Sequence, residues 1–177
     1  MIFHETELSG LLLIEPTAPA DSRGYFLRTF CADSFETHSL NTTWPQTNLS
    51  YTARLGTLRG LHFQRDPAPE VKLIQCVTGR ILDVIVDLRK GSSTYGKWVS
   101  FELSEENHRM LYVPGGFAHG FQCLEDDCRV SYMMSESYVP ELAAGVRWSD
   151  PDLAIEWPIA DPYVSQRDAE LPLLADL

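Results

Sequence analysis

Apolar and polar positions along the chain alternate with a period of two. Gly79–Leu88 (GRILDVIVDL) is the clearest run: Leu82, Val84, Val86 and Leu88 fall on one side of an extended strand, and Ile81, Asp83, Ile85 and Asp87 on the other. The wholly apolar side is expected to be core and the other side mixed. The same period predicts strands at Leu11–Thr17, Gly24–Phe30, Gln46–Tyr51, Gly56–Gln64, Val71–Val77, Gly96–Glu102, Met110–Val113, Ala118–Cys123 and Arg129–Ser135. Turn-forming clusters separate them, at Asp21–Gly24, Lys90–Ser92, Pro114–Gly116 and Glu125–Asp127. Helical signals are short: Asp33–Ser39, and a turn or short helix over Ser104–Arg109. Many short strands with little helix predict an all-β sandwich or barrel of jelly-roll type. No repeat or linker divides the chain, so residues 1–177 read as one domain. The proline-rich end (Pro151, Pro158, Pro162, Pro172) reads as a strap over the barrel.

Composition narrows the function classes. A chain of 177 residues, 44% of them hydrophobic, can enclose a substantial core. A net charge of −11 argues against nucleic acid or an anionic membrane surface as partner. An anionic ligand would need local cations, for which Arg23, Arg28, Arg59 and Lys72 are the candidates. No apolar run is long enough to span a bilayer, and Met1–Ala20 lacks the basic start of a secretion signal. The four cysteines (Cys31, Cys76, Cys123, Cys128) have neither C-x-x-C nor zinc spacing, so they read as free thiols of a cytoplasmic protein, with a Cys123–Cys128 disulfide as the alternative.

Several polar residues interrupt apolar elements and need partners or a task. His62, in Gly56–Gln64, is either a hydrogen-bonded core histidine or a general base titrating near neutral pH. Arg59 lies three residues earlier, on the opposite face of a flat strand; a bulge at Gly60 would bring both to one cavity. Lys72 shares a face with Ile74 and Cys76, so it either snorkels from the strand's start or aims a cation at a developing oxyanion. His119, between Phe117 and Phe121, and Tyr132, between Val130 and Met134, are each either packed core or pocket groups. Asp168 in Ser165–Asp168 fits a capping box, where its carboxylate would close a helix start.

Taken in order, a set of blocks identifies a relationship. Asp21–Phe26, Gln46–Ser50, Gly56–Gln64, Lys72-Leu73, Gly79–Arg89, Pro114–Phe121, Tyr132 with Tyr138, Trp148–Pro151, Ile155–Pro158 and Ser165–Asp168 together resemble the nucleotide-sugar 3,5-epimerases, the dTDP-4-dehydrorhamnose 3,5-epimerase-like family. The likeness spans about Asp21 to Pro172. It implies a cupin-type double-stranded β-helix, usually a homodimer, acting on a nucleotide-diphosphate sugar without metal or other cofactor. It also implies roles. His62 would remove the proton beside the C4 ketone, and Asp168 would support its charged form. Lys72 would face the enolate oxygen, and Tyr132 would return a proton from the other sugar face. Arg23 and Arg59 would hold the diphosphate, Phe26, Gln46 and Asn48 the nucleotide, and His119 and Tyr138 would line the pocket.

Those residue types suit the chemistry. Epimerisation needs a base on one face and an acid on the other, with a cation at O4 to favour the enolate. A metal-binding cupin would usually carry a second histidine two residues after His62, where this chain has Gln64; His62, His119 and Glu70 are the remaining candidate ligand set. Two positions depart from the family pattern. Arg28 stands where many members have an acid near the base, and Ala143 where many have a glutamate near the sugar, with Glu141 close by in sequence. They leave a single-centre epimerase or one for a CDP- or GDP-linked sugar as alternatives; a non-catalytic sugar-nucleotide-binding cupin and a metal cupin are separate rivals.

Overall fold

The computed structural model describes residues 1–177. The first part of the chain forms β1 (Ile2–Glu5), β2 (Leu12–Glu15), the short hairpin β3 (Ala20–Asp21) and β4 (Gly24–Tyr25), and helix α1 (Ala32–Thr37). The barrel strands follow: β5 (Gln46–Thr52), β6 (Thr57–Gln64), β7 (Lys72–Thr78), β8 (Arg80–Asp87), β9 (Trp98–Ser104), β10 (Met110–Val113), β11 (Phe117–Cys123) and β12 (Cys128–Met134). The end supplies β13 (Ala143–Gly145), β14 (Tyr163–Val164), helix α2 (Gln166–Ala169) and a 3₁₀ turn at Leu174–Asp176. Ser104–Arg109 is a turn, closed by Ser104 and Asn107 bonding each other's backbone N–H.

Two sheets face each other. One runs β1-β2-β10-β7-β12-β5, the other β13-β6-β11-β8-β9, with β14 added to β6. This is the jelly-roll arrangement that the alternation predicts. The space between the sheets is filled by Leu8, Leu11, Ile74, Cys76, Ile81, Ile85, Leu103, Leu111, Val113, Phe117, Phe121, Cys123, Cys128 and Val130. All four thiols are free. No helix is long and apolar enough to cross a membrane.

Both faces of β8 are buried: the apolar face is core, as expected, and the mixed face is buried as well. The mixed face is the interior one, contributing Ile81 and Ile85 to the central core. The apolar face, with Val84 and Val86, packs outward under Leu153, Ile155, Trp157 and Leu174 of the proline-rich strap. Period two separates the faces of a strand, but cannot say which one a later segment will cover. The other sheet is covered on its outside by Phe35 of α1, which packs with Ile14, Leu73, Met110 and Tyr112.

The expected strand at Gly24–Phe30 is cut to Gly24–Tyr25. The hairpin ends where Phe26 N–H bonds Pro19 O, and nothing in this chain pairs the residues beyond. Phe30 instead packs edge-on against Phe35 and Trp44.

Candidate active site

The site begins with an irregularity in β6. On β11, His119 and Phe121 are two apart; their partners on β6, His62 and Arg59, are three apart. The extra residue is a bulge at Gly60–Leu61, and it puts Arg59 and His62 on one face. Gly60 has φ +126°, and a Cβ there would lie 2.6 Å from the Gly120 Cα and 2.9 Å from the His119 carbonyl. Only glycine fits such a close approach at such a φ.

Asp168 reaches the same place from the far end of the chain. β14 pairs in parallel with β6 at Thr57 and Leu58, and α2 turns immediately after it. Ser165 caps α2 by accepting the Asp168 N–H on its hydroxyl at 3.1 Å. The Asp168 carboxylate is thereby left for other work. Its Oδ1 accepts from His62 Nε2 at 2.7 Å and its Oδ2 from the Gly60 N–H at 3.2 Å. Burial alone would push this carboxyl up; the His62 hydrogen bond and charge, with the Gly60 N–H, outweigh it and hold the group below the usual carboxylate range. The His62 side chain remains 40% exposed, while that of Asp168 is 7% exposed. An anchored imidazole with one nitrogen on a buried carboxylate, and its other edge open, is equipped to take up a proton.

Around this pair the barrel interior is polar. On β11, opposite His62, His119 is buried and bonds Asp83 Oδ2 through Nε2 at 2.9 Å. Asp83 is fully buried, and its Oδ1 has no partner. Burial raises its carboxyl above the usual range, against the opposing pull of His119 and Lys72. From the other sheet comes Tyr132, whose ring meets that of His119 edge-on at 6.3 Å between centroids. Its hydroxyl shares a 2.6 Å hydrogen bond with Ser50 on β5. Burial pushes the phenol up to about 12, so it is a protonated donor at neutral pH. Lys72, at the start of β7, is buried; its Nζ donates to the His62 carbonyl at 3.3 Å and lies 3.0 Å from Glu70 Oε1.

The remaining sequence candidates divide between the rim of the site and the exposed β3–β4 hairpin. Arg59 is exposed and donates to Thr52 Oγ1 at 3.0 Å and to the Tyr51 carbonyl at 3.2 Å, which leaves part of its guanidinium free. On β5, Gln46 Oε1 accepts the Tyr138 N–H, and Asn48 is exposed opposite Tyr132. Tyr138 lines a cavity of about 130 Å³ with His62, Phe63, Gln64, Glu70, Ala143, Ala144 and Arg167. Arg23 is ion-paired with Asp21 on the exposed β3–β4 hairpin, and Phe26 just after it is 68% exposed. No hydrogen bond or ring contact links either of them to the His62 group; the hairpin instead rests Tyr25 on His108. Arg28 is likewise exposed, outside any element.

No three His, Cys, Asp or Glu side chains come together as a metal-ligand set. Glu70 turns to Lys72, and Gln64 is used structurally, with Nε2 donating to the Ala68 carbonyl and Oε1 accepting the Val139 N–H. A roomier cleft of about 840 Å³ adjoins the small cavity, sharing Phe63 and Gln64 and lined also by Arg65, Lys90 and Tyr95; His62 is not among its lining residues.

Sequence reasoning did not single out Asp83, Ser50 or Arg167. Asp83 had a signal, an acid alternating with Ile81 and Ile85 on a strand whose other side was wholly apolar. Ser50 and Arg167 had none. Asp87 on the same face as Asp83 proves structural: it binds Arg89, Ser92 and Thr94 in the turn after β8.

These elements define a cupin-type barrel that opens on a carboxylate-backed histidine. A family model described as dTDP-4-dehydrorhamnose 3,5-epimerase matches residues 5–176. A dTDP-4-dehydrorhamnose 3,5-epimerase of Methanothermobacter thermautotrophicus is 46% identical over 94% of this chain and 90% of its own. The same enzyme from Bacillus anthracis, solved with TDP and PPi bound, superimposes with a TM-score of 0.95 at 44% identity over 97% of this chain and 98% of that one. The Legionella pneumophila dTDP-6-deoxy-D-glucose-3,5-epimerase, solved with dTDP-4-keto-L-rhamnose, has a TM-score of 0.93 at 37% identity, covering 98% and 93%. The chain belongs to the dTDP-4-dehydrorhamnose 3,5-epimerase family.

Proposed function

We propose that this protein is an isomerase that inverts C3 and C5 of a dTDP-linked 4-keto-6-deoxy sugar, taking dTDP-4-dehydro-6-deoxyglucose to dTDP-4-dehydrorhamnose. The observation that carries this reading is the His62–Asp168 pair, facing a polar interior that also holds Lys72 and Tyr132. His62 takes the proton from a carbon beside the ketone, and Asp168 stabilises the imidazolium that results. Negative charge moves to O4, where the Lys72 ammonium favours the enolate over the ketone. Tyr132, a protonated phenol on the opposite sheet, returns a proton to the other face of the carbon. Each centre keeps its bonds apart from one proton lost and one gained, so no redox cofactor or metal enters the scheme.

Arg59 and His119 hold the diphosphate and the pocket wall, with Gln46, Asn48 and Tyr138 along the rim. Arg23 and Phe26 act across a homodimer interface, contributed by a second copy. This accounts for their exposure, for the unpaired outer edge of β5, and for the exposed Leu49 and Tyr51 beside it. Residues 1–177 work as one unit, since the proline-rich end supplies Asp168. The free thiols suit a reducing, cytoplasmic setting.

Incubation with dTDP-4-dehydro-6-deoxyglucose in D2O tests this. Deuterium should enter at C3 and C5, and His62→Ala should abolish it. Exchange at C3 alone would favour the single-centre reading that Ala143 raises. Exchange only with CDP- or GDP-linked sugars would move the assignment to another nucleotide. No exchange with any of them would refute the epimerase.

A further inference from the structure

Glu70 lies two residues before the lysine that faces the ketone in the proposed reaction, and its placement is tightly held. Pro69 packs so close to Gly115 that a Cβ there would meet the Pro69 carbonyl at 3.1 Å. Val71 is fixed on both sides: its N–H donates to Ser135 Oγ at 2.8 Å, and its carbonyl accepts from the Ser135 N–H at 3.0 Å. The Glu70 side chain is only 10% exposed, and that of Lys72 7%. Burying an acid and an amine together carries a desolvation penalty that an ion pair offsets only with good geometry and satisfied remaining atoms. One oxygen, Oε1, sits 3.0 Å from Nζ, yet no protein group hydrogen-bonds the other. Glu70 also lines the cavity of about 130 Å³, together with His62, Ala143 and Ala144.

A plain counter-ion would account for Oε1 alone. The second oxygen, on a residue that lines the cavity beside the base, is free to accept from a ligand. Lys72 has donor capacity to spare: of its three N–H groups, one donates to the His62 carbonyl, and Glu70 Oε1 is an ion-pair neighbour of Nζ. The pair therefore offers a donor and an acceptor side by side, as the ketone and hydroxyl on adjacent carbons of a pyranose would require.

We propose that Glu70 is a specificity residue that, with Lys72, reads the sugar as an α-hydroxy ketone. The ammonium takes the ketone oxygen on C4, and the carboxylate accepts the hydroxyl on C3. This rests on the reading above that the ligand is a 4-keto sugar nucleotide. It adds that the preferred sugars carry a free hydroxyl next to the ketone, and that the acid recognising it comes from the β6–β7 connection instead of β13.

The test compares dTDP-4-dehydro-6-deoxyglucose with its 3-deoxy counterpart. Dissociation constants are measured by calorimetry on the full chain, in a His62→Ala background that halts turnover. With Glu70 present, the 3-hydroxy sugar should bind about ten- to a hundredfold more tightly, the value of a hydrogen bond to a charged group. Glu70→Ala should erase that preference, and Glu70→Gln, which keeps an acceptor oxygen, should retain part of it. Affinity for dTDP itself, which has no sugar, should stay unchanged in both. An undiminished preference in Glu70→Ala, or dTDP affinity falling in step with that for the sugar, would overturn the proposal. Absence of deuterium exchange by the unmutated protein would refute the epimerase reading alone, because binding preference does not depend on turnover.

Discussion

Replacing Asp168 with asparagine removes one charge and one acceptor from a group that now serves two donors. The native carboxylate receives His62 Nε2–H at 2.7 Å and the Gly60 N–H at 3.2 Å. An amide has a single oxygen. If that oxygen stays on His62, the amide nitrogen faces the Gly60 N–H, and a buried donor without a partner costs about 1–3 kcal/mol. The bond to His62 also changes from charge-assisted to neutral, a loss of roughly 1–1.5 kcal/mol that is felt most when His62 has gained its proton. The second term alone corresponds to about a tenfold fall in kcat, and misorientation of the imidazole extends it toward a hundredfold. The assay is deuterium incorporation at C3 and C5 followed by NMR, with dTDP affinity and thermal melting measured beside it. The dTDP affinity should hold while kcat falls. The stability loss should also depend on pH. The folded-state carboxyl is held below its usual range, so its contribution is present above the unfolded-state value and is lost as pH falls through the depressed one. The gap between native and Asp168→Asn melting should therefore narrow in acid. A variant that exchanges deuterium within about twofold of the parent, while folded, would refute the role given to the pair.

Other consequences are as direct. Tyr132→Phe should cut deuterium exchange by about a hundredfold or more while shifting the melting temperature little, since the ring stays packed and only the shared hydrogen bond with Ser50 is lost. Gly60→Ala should destabilise the fold by several kcal/mol, on the order expected for a buried clash plus a strained φ, and chemical denaturation would measure it. Arg89→Ala should lower stability by about 1–3 kcal/mol at neutral pH. Burial opposes the Asp87 charge, but Arg89, Thr94 and Ser92 outweigh it and depress the carboxyl, so this difference too should fade as pH falls through the depressed value. Leu49→Asp, on the open edge of β5, tests the proposed homodimer: sedimentation should give a lower mass than for the parent, and an unchanged mass would remove β5 from the proposed interface.

Much of the framework could be read from the chain because its causes are local. Period-two alternation located the barrel strands from Gln46 to Met134, and glycine at position 60 pointed to a bulge that brings Arg59 and His62 together. Local rules also misled. The capping motif at Ser165–Asp168 is real, but Ser165 closes the helix alone and frees the carboxylate for a histidine 106 positions away in sequence. The alternation across Leu27–Phe30 looked like a strand, yet a strand requires a partner, and this chain offers none there.

By itself, then, the sequence determined which residues lie on the same face of each strand, where the backbone must bend, and which family pattern the blocks follow. Tertiary structure decided what those faces meet. It turned the mixed face of β8 inward, gave Asp83 to His119, set Glu70 against Lys72, and delivered Asp168 from the strap to the base. The physical reason is that alternation and turn chemistry are governed by neighbours a few residues apart. The partner of a buried charge is set by which strands pair and which segment covers them, and that is fixed only when the whole chain closes.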